Sequence, residues 1–309
     1  MVESTTESSS RRICSAPVAL LLAIGLTLAA TSAAHAEPRE DGAPAEALGA
    51  GDAVRGSIWG PGSLYFNPAG LFRVPSVLFE AGYSYLESTK GHGLAAAAID
   101  SKSNEFAAIG VAYSYITGTP GGRDRDGHQF RGGLGTGYRS NDFALYAGIG
   151  ARYLELQYGA DDAKSDEHDD VDSWTLDLGL MIDFANRIRF GVVGQNLVDG
   201  KRLDVSRGLG IGLSFVFDTL DVGADMTFDL SDRFGRTIKS YAFGASYGFA
   251  GAFFARAGFV GDLVAKQERA TVGFGWSMSQ LAVDIAWSSA FTEPTDMIFS
   301  LSLRYSPPL

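Results

Sequence analysis

The chain carries one cysteine, Cys14, and it precedes the first apolar run. Everything downstream therefore lacks the means for a disulfide or a thiolate metal site. Long apolar runs are missing as well. After Ala36 no stretch approaches the ~18 uncharged apolar residues of a membrane-spanning helix. Basic residues are in deficit, with 25 Lys and Arg against 36 Asp and Glu and a net charge of −11. That balance argues against nucleic acid as a partner. Downstream of the first apolar run, helical periodicity is absent too.

What is present begins with an address. Arg11 and Arg12 precede a run from Ala16 to Ala30 that is apolar apart from Thr27, followed by Ala34-His35-Ala36. A basic start, a short apolar core and a small-x-small site make a secretory signal peptide, residues 1–36. The run falls short of the ~20 residues a span requires. The leader holds Glu3, Glu7, Arg11 and Arg12, so its removal leaves the net charge unchanged.

From Ser76 on, the pattern has period two, the signature of strands with two unlike faces. Val77, Phe79, Ala81, Tyr83 and Tyr85 share one face, and Trp174, Leu176, Leu178, Leu180, Ile182 and Phe184 share another. Glycine is abundant, 39 of 309 residues. Fourteen strands are predicted, at 76–86, 93–101, 104–116, 129–138, 142–157, 173–184, 188–197, 206–217, 219–230, 237–248, 251–260, 268–276, 279–289 and 296–305. The second face carries charge: Glu80, Arg152, Asp177, Asp183, Arg189, Asp221, Asp225, Arg256, Asp284 and Arg304.

Alternation alone leaves open which face points inward. Two patterns decide it. Connections after odd strands are long and polar, such as GTPGGRDRDGH and GADDAKSDEHDDVD, whereas those after even strands, such as KS, RSN and ANR, have two to four residues. Aromatic residues cluster at strand ends. Tyr83, Tyr113, Tyr153 and Trp174 fall at the long-loop rim, and Phe79, Tyr138, Phe184 and Tyr305 at the short-turn rim. Sorted loops and two aromatic girdles around an apolar band are features of barrels in the bacterial outer membrane. The expected fold is all-β, a transmembrane antiparallel up-and-down β-barrel over 76–309 with outer-membrane lipid around it. The charges above then line the lumen. They either cross-pair to hold the barrel in shape or mark a selective path.

A barrel of fourteen strands leaves a hole, because only the smallest barrels fill themselves with side chains. Residues 37–75 precede the first strand and suit an N-terminal plug. Within them SLYFNPAGL, Ser63 to Leu71, joins a rigid turn to apolar flanks. Leu64, Tyr65, Phe66, Asn67, Pro68, Ala69, Gly70 and Leu71 are the expected hatch and ligand path.

The stretch ALGAGDAVRGSIWGPGSLYFNPAGL resembles the N-terminal signature of FadL-type outer-membrane transporters and of the related PorV-like barrels. Gly191 to Leu197 (GVVGQNL), Phe254 to Phe259 (FARAGF) and Ala282 to Trp287 (AVDIAW) resemble later elements of the PorV-like branch. The likeness runs along nearly the whole chain after the leader. It implies a hatch-gated barrel that takes up hydrophobic compounds such as long-chain fatty acids. The PorV-like branch implies an alternative, a structural or secretion partner that binds another envelope protein.

Motifs with chemical precedent fit poorly here. GASYG (Gly244 to Gly248) matches a nucleophile elbow, but that needs a strand, a sharp turn and a helix. GLGTG (Gly133 to Gly137) and GLGIG (Gly208 to Gly212) lack the following helix of a phosphate loop, so they read as small residues in curved strands. The acidic loop from Asp161 to Asp172 lacks the spacing of a calcium loop. It reads as a solvated loop, with calcium binding left open. His92, His128 and His168 fall in three predicted outer loops. The expectation is no enzyme, no cofactor and no metal site.

Overall fold

The computed structural model describes residues 41–159, 170–198, 207–231, 238–263 and 266–308. The leader, the start of the predicted plug and most of the acidic loop, with His168, lie outside these. The strands are β1 (Val77–Leu86), β2 (Gly91–Asp100), β3 (Ala108–Gly118), β4 (Arg125–Arg139) and β5 (Phe143–Tyr158). There follow β6 (Val171–Phe184), β7 (Ile188–Gln195), β8 (Gly208–Phe217), β9 (Leu220–Asp229) and β10 (Ile238–Phe249). The set ends with β11 (Phe253–Asp262), β12 (Gln267–Ser277), β13 (Leu281–Ala290) and β14 (Met297–Tyr305).

Each strand pairs antiparallel with its sequence neighbours, and β1 pairs with β14, so the sheet closes on itself. The closing seam runs from Phe79↔Tyr305 to Leu86↔Ile298. Closure is a physical necessity in hydrocarbon, where an unpaired N–H or C=O costs several kcal/mol. The result is a closed fourteen-stranded antiparallel barrel, as the alternation predicts.

The two faces are sorted as expected. Val111, Leu178, Leu180 and Val272 point outward with half or more of their surface exposed. Glu80, Asp177, Asp183, Asp225, Asp284 and Arg304 point inward and are buried. Outward-facing rings touch in series at the long-loop rim. Tyr113 meets Phe130, Phe130 meets Tyr153, and Tyr153 meets Trp174. At the short-turn rim Phe249, Phe253 and Phe274 form a second group.

Three details differ from the sequence reading. The predicted two-residue link KS is a seven-residue turn, 101–107, set by two side chains. Asp100 accepts from the N–H groups of Lys102 and Ser103, and Asn104 from those of Phe106 and Ala107. His92 lies on β2 and His128 on β4, not in loops, because backbone pairing continues past them, His92 opposite Tyr85 and His128 opposite Tyr115. Tyr83 Oη is 2.9 Å from His92 Nδ1, and Tyr113 Oη is 2.8 Å from His128 Nδ1.

The lipid-facing assignment has a direct test. Leu178→Arg should destabilise the barrel by about 2–4 kcal/mol near the bilayer midplane. Asp177→Asn, one residue along and inside, should cost far less. Urea unfolding of both variants in lipid vesicles is the measurement. Equal losses would sink the assignment of faces.

Candidate functional site

Residues 41–76 pack inside the barrel. They form α1 (Ala45–Gly49), a 3-10 turn Gly60–Gly62, α2 (Ser63–Phe66) and a second 3-10 turn Pro68–Phe72. These elements are short because glycine and proline interrupt them. Gly51 and Gly60 adopt positive φ, and Pro61 and Pro68 open the two turns. Alone, such pieces would not hold a conformation, so the wall must supply their partners.

The wall does so through glycine. Across the sheet, Gly135 pairs with Gly148 and Gly148 with Gly179; Gly191 pairs with Gly212; Gly223 pairs with Gly244 and Gly244 with Gly258. These glycines, with Gly273, face the lumen in a stepped belt. A Cβ on Gly148, Gly191, Gly212, Gly223, Gly244, Gly258 or Gly273 would lie under 3.0 Å from the inner segment's backbone. The contacts follow chain order. Gly49 meets β12, Ala50 and Gly51 meet β10 and β11, Ala53 meets β9, Arg55 meets β7 and β8, and Pro68 meets β5. The segment thus winds around the wall along a track of absent side chains. The runs GLGTG and GLGIG belong to this track, which explains their composition better than curvature alone.

The NPAG motif fastens the end of the track. Asn67 is fully buried, and its side chain makes three hydrogen bonds. Its Oδ1 accepts from Ala69 N at 3.1 Å, and its Nδ2 donates to Arg55 O and Leu180 O at 3.2 Å each. Pro68 supplies the fixed φ of the first turn position. Gly70 crosses Ile58, where a Cβ would sit 2.5 Å from the carbonyl oxygen. Leu64 and Leu71 fill the space over Gly110 and Gly133. Of the eight residues predicted as a ligand path, only Tyr65 and Phe66 line one of the two chambers described below. Leu64, Asn67, Pro68, Ala69, Gly70 and Leu71 pack against the wall and anchor the segment.

The ten predicted lumen charges fall into groups with partners in place. Arg304 bridges Glu80 (2.9 Å) and Glu46 (2.7 Å), lies 3.8 Å from Asp284, and stacks over Trp59. Arg256 holds Asp284 at 2.5 Å. This cluster straddles the β1–β14 seam, where Glu80 and Arg304 are register partners. Arg189 bridges Asp183 (3.0 Å) and Asp221 (3.1 Å). Asp225 Oδ2 accepts from Val54 N, Arg55 N and the Arg55 guanidinium. Asp177 accepts from Asn196 N at 2.7 Å, and Arg152 donates to Asn196 Oδ1 at 2.9 Å.

Sequence reasoning missed Glu46, Arg55 and Trp59, because an irregular segment has no period to reveal which way a side chain points. It also missed Arg131, Arg269 and Asp296. The two arginines share the inward parity of their strands, so the period-two rule applied to β4 and β12 would have found them. Arg131 joins Asp41 (3.1 Å) and lies 4.6 Å from the centre of the Tyr65 ring; Arg269 joins Asp296 (2.6 Å). Among the described residues no cluster of three or more His, Cys, Asp or Glu is placed to hold a metal ion.

The inner segment leaves a chamber on each side. One, of about 580 Å³, opens toward the short turns and is lined by Trp59, Leu78, Phe254, Leu281 and the Arg304 cluster. The other, of about 400 Å³, opens toward the long loops above Tyr65 and Phe66. The barrel is similar to solved transporters. It aligns with the crystal structure of the P. putida toluene transporter TodX at a TM-score of 0.63 and 13% identity, covering 88% of this chain and 99% of that one. The Ralstonia pickettii toluene transporter TbuX aligns at 0.62 and 13% identity, covering 86% and 98%. At such identity the likeness is one of fold. No family model matches the chain, and no curated protein matches it in sequence.

Two substitutions test this packing. Gly244→Val would drive its side chain into Ala50 and should cost about 1–3 kcal/mol by overpacking. Gly132→Val has open space around its Cβ and should be nearly neutral; equal unfolding midpoints for the two would remove the glycine track. Arg304→Met leaves Glu46 and Glu80 buried without their shared cation, a loss expected at about 3–5 kcal/mol. Thermal unfolding in detergent micelles measures it, and an unchanged midpoint would show that the cluster does not hold the seam.

Proposed function

We propose that the chain is an outer-membrane channel for the uptake of hydrophobic compounds, and that residues 37–75 are its hatch. The observation that carries this reading is the division of a lipid-embedded lumen into two chambers by a segment fastened to the wall. An open water-filled pore would have no such partition. TodX and TbuX, which share the fold, are described as toluene transporters. The FadL-like stretch of sequence supports the same reading, with aromatic hydrocarbons or long-chain fatty acids as candidate solutes. A cleaved leader ending near Ala36 would deliver the chain to the periplasm for insertion.

Deleting residues 37–72 tests the hatch. The strands carry their own hydrogen bonds, so the barrel should still form. In liposomes the deletion should raise leakage of small polar solutes. The intact protein should pass few of these yet speed entry of a fatty acid or an aromatic hydrocarbon. An intact barrel that moves no hydrophobic solute, but co-purifies with an envelope protein bound through its long loops, would replace transport with the PorV-like partner role.

A further inference from the structure

The chamber on the long-loop side is not lined as a hydrocarbon site. Its wall on β3 to β6 is graded. Nearest the mouth, register places Ile116, Leu156 and Val171 in one row. Two residues farther in comes a mixed row with Gln129 and Leu154. Two more bring Arg131 and Arg152. From Leu156 to Arg152 the wall changes from aliphatic to guanidinium within about 13 Å, at roughly 3.3 Å per residue. Leu48 and Ile298 give the opposite side of the chamber an apolar patch. Deeper in, Gln195, Asn196 and the Thr227–Ser240 hydroxyl pair, 2.5 Å apart, add neutral donors and acceptors.

The charges have a particular balance. Five arginines and six aspartates line the chamber. Three of the arginines already hold aspartates of the same lining, Arg55 with Asp225, Arg131 with Asp41 and Arg269 with Asp296. An incoming carboxylate would compete with bound carboxylates inside a lining of net negative sign, which disfavours it. A bare hydrocarbon reaching this depth would displace water from polar groups and return no hydrogen bond. A neutral hydroxyl can both donate and accept there.

We propose that this chamber selects neutral hydroxylated amphiphiles, with an aromatic or aliphatic body over Tyr65 and Phe66 and a hydroxyl turned toward Gln195, whose amide lies 3.4 Å from Tyr65 O, and Thr227. The inference rests on the channel reading and narrows its substrate class, setting phenol- and alcohol-type compounds above both fatty-acid anions and plain hydrocarbons.

Three probes with one shared ring separate the cases: toluene, p-cresol and p-toluate near neutral pH. Each is equilibrated by dialysis against the full barrel in lipid nanodiscs, with empty nanodiscs as background. One net hydrogen bond should give p-cresol about a tenfold advantage over toluene, and p-toluate should be retained least. The double variant Gln195→Leu, Thr227→Val should bring p-cresol to within about twofold of toluene, since the apolar surface of Tyr65 and Phe66 is untouched. Toluene retained as well as p-cresol would overturn the selectivity while leaving a hydrophobic channel standing. Retention of p-toluate above p-cresol would overturn the charge argument. A p-cresol advantage that survives the double variant would place binding outside this chamber. Retention of none of the three would overturn both the site and the channel reading.

Discussion

The constraint on which the rest depends is that a backbone in hydrocarbon has no water to bond. Every N–H and C=O of the wall must find another strand. Among fourteen strands this is met by closing β1 on β14. Closure at that strand number opens a lumen too wide for wall side chains to fill. The inner segment answers the lumen, and the glycine track answers the inner segment. Each is a consequence of the one before.

The track exchanges one kind of stability for another. A glycine in a strand gives up side-chain packing and loses more entropy on folding. Here it admits a second backbone to van der Waals distance, and the segment's small residues, Ala50, Gly51 and Ala53, complete the fit. Where larger groups meet the wall, they do so as paired charges. Glu46 and Arg55 of the segment join Arg304 and Asp225 of the strands. Removing charges from water is costly unless partners and hydrogen bonds replace it, and most of these carboxylates have more than one donor. The Arg304 cluster lies on the one seam whose strands are farthest apart in sequence.

Two unlike chambers follow from the same partition. The one facing the short turns pairs aromatic walls with the ionic cluster of the seam. The one facing the long loops grades from aliphatic to polar. TodX and TbuX share the barrel and are described as toluene transporters. That grading arises from residues on β3 to β6 rather than from the fold as such.

By itself the sequence determined the barrel. Period two, sorted loop lengths and rim aromatics are local properties, and each repeats along the chain, so the faces of Leu178 and Asp177 are legible from residue order alone. The KS link is longer than two residues because Asp100 and Asn104 bond to nearby backbone, which a length count ignores. The site was legible only in outline. SLYFNPAGL stood out as rigid and apolar, but its role as a wall anchor was hidden. Asn67 finds its partners at Arg55 and Leu180, the latter 113 positions away. Likewise, a glycine that makes room for Ala50 looks like any other glycine in a strand. Which backbone it faces is decided by closure and register, and these exist only once distant strands have met.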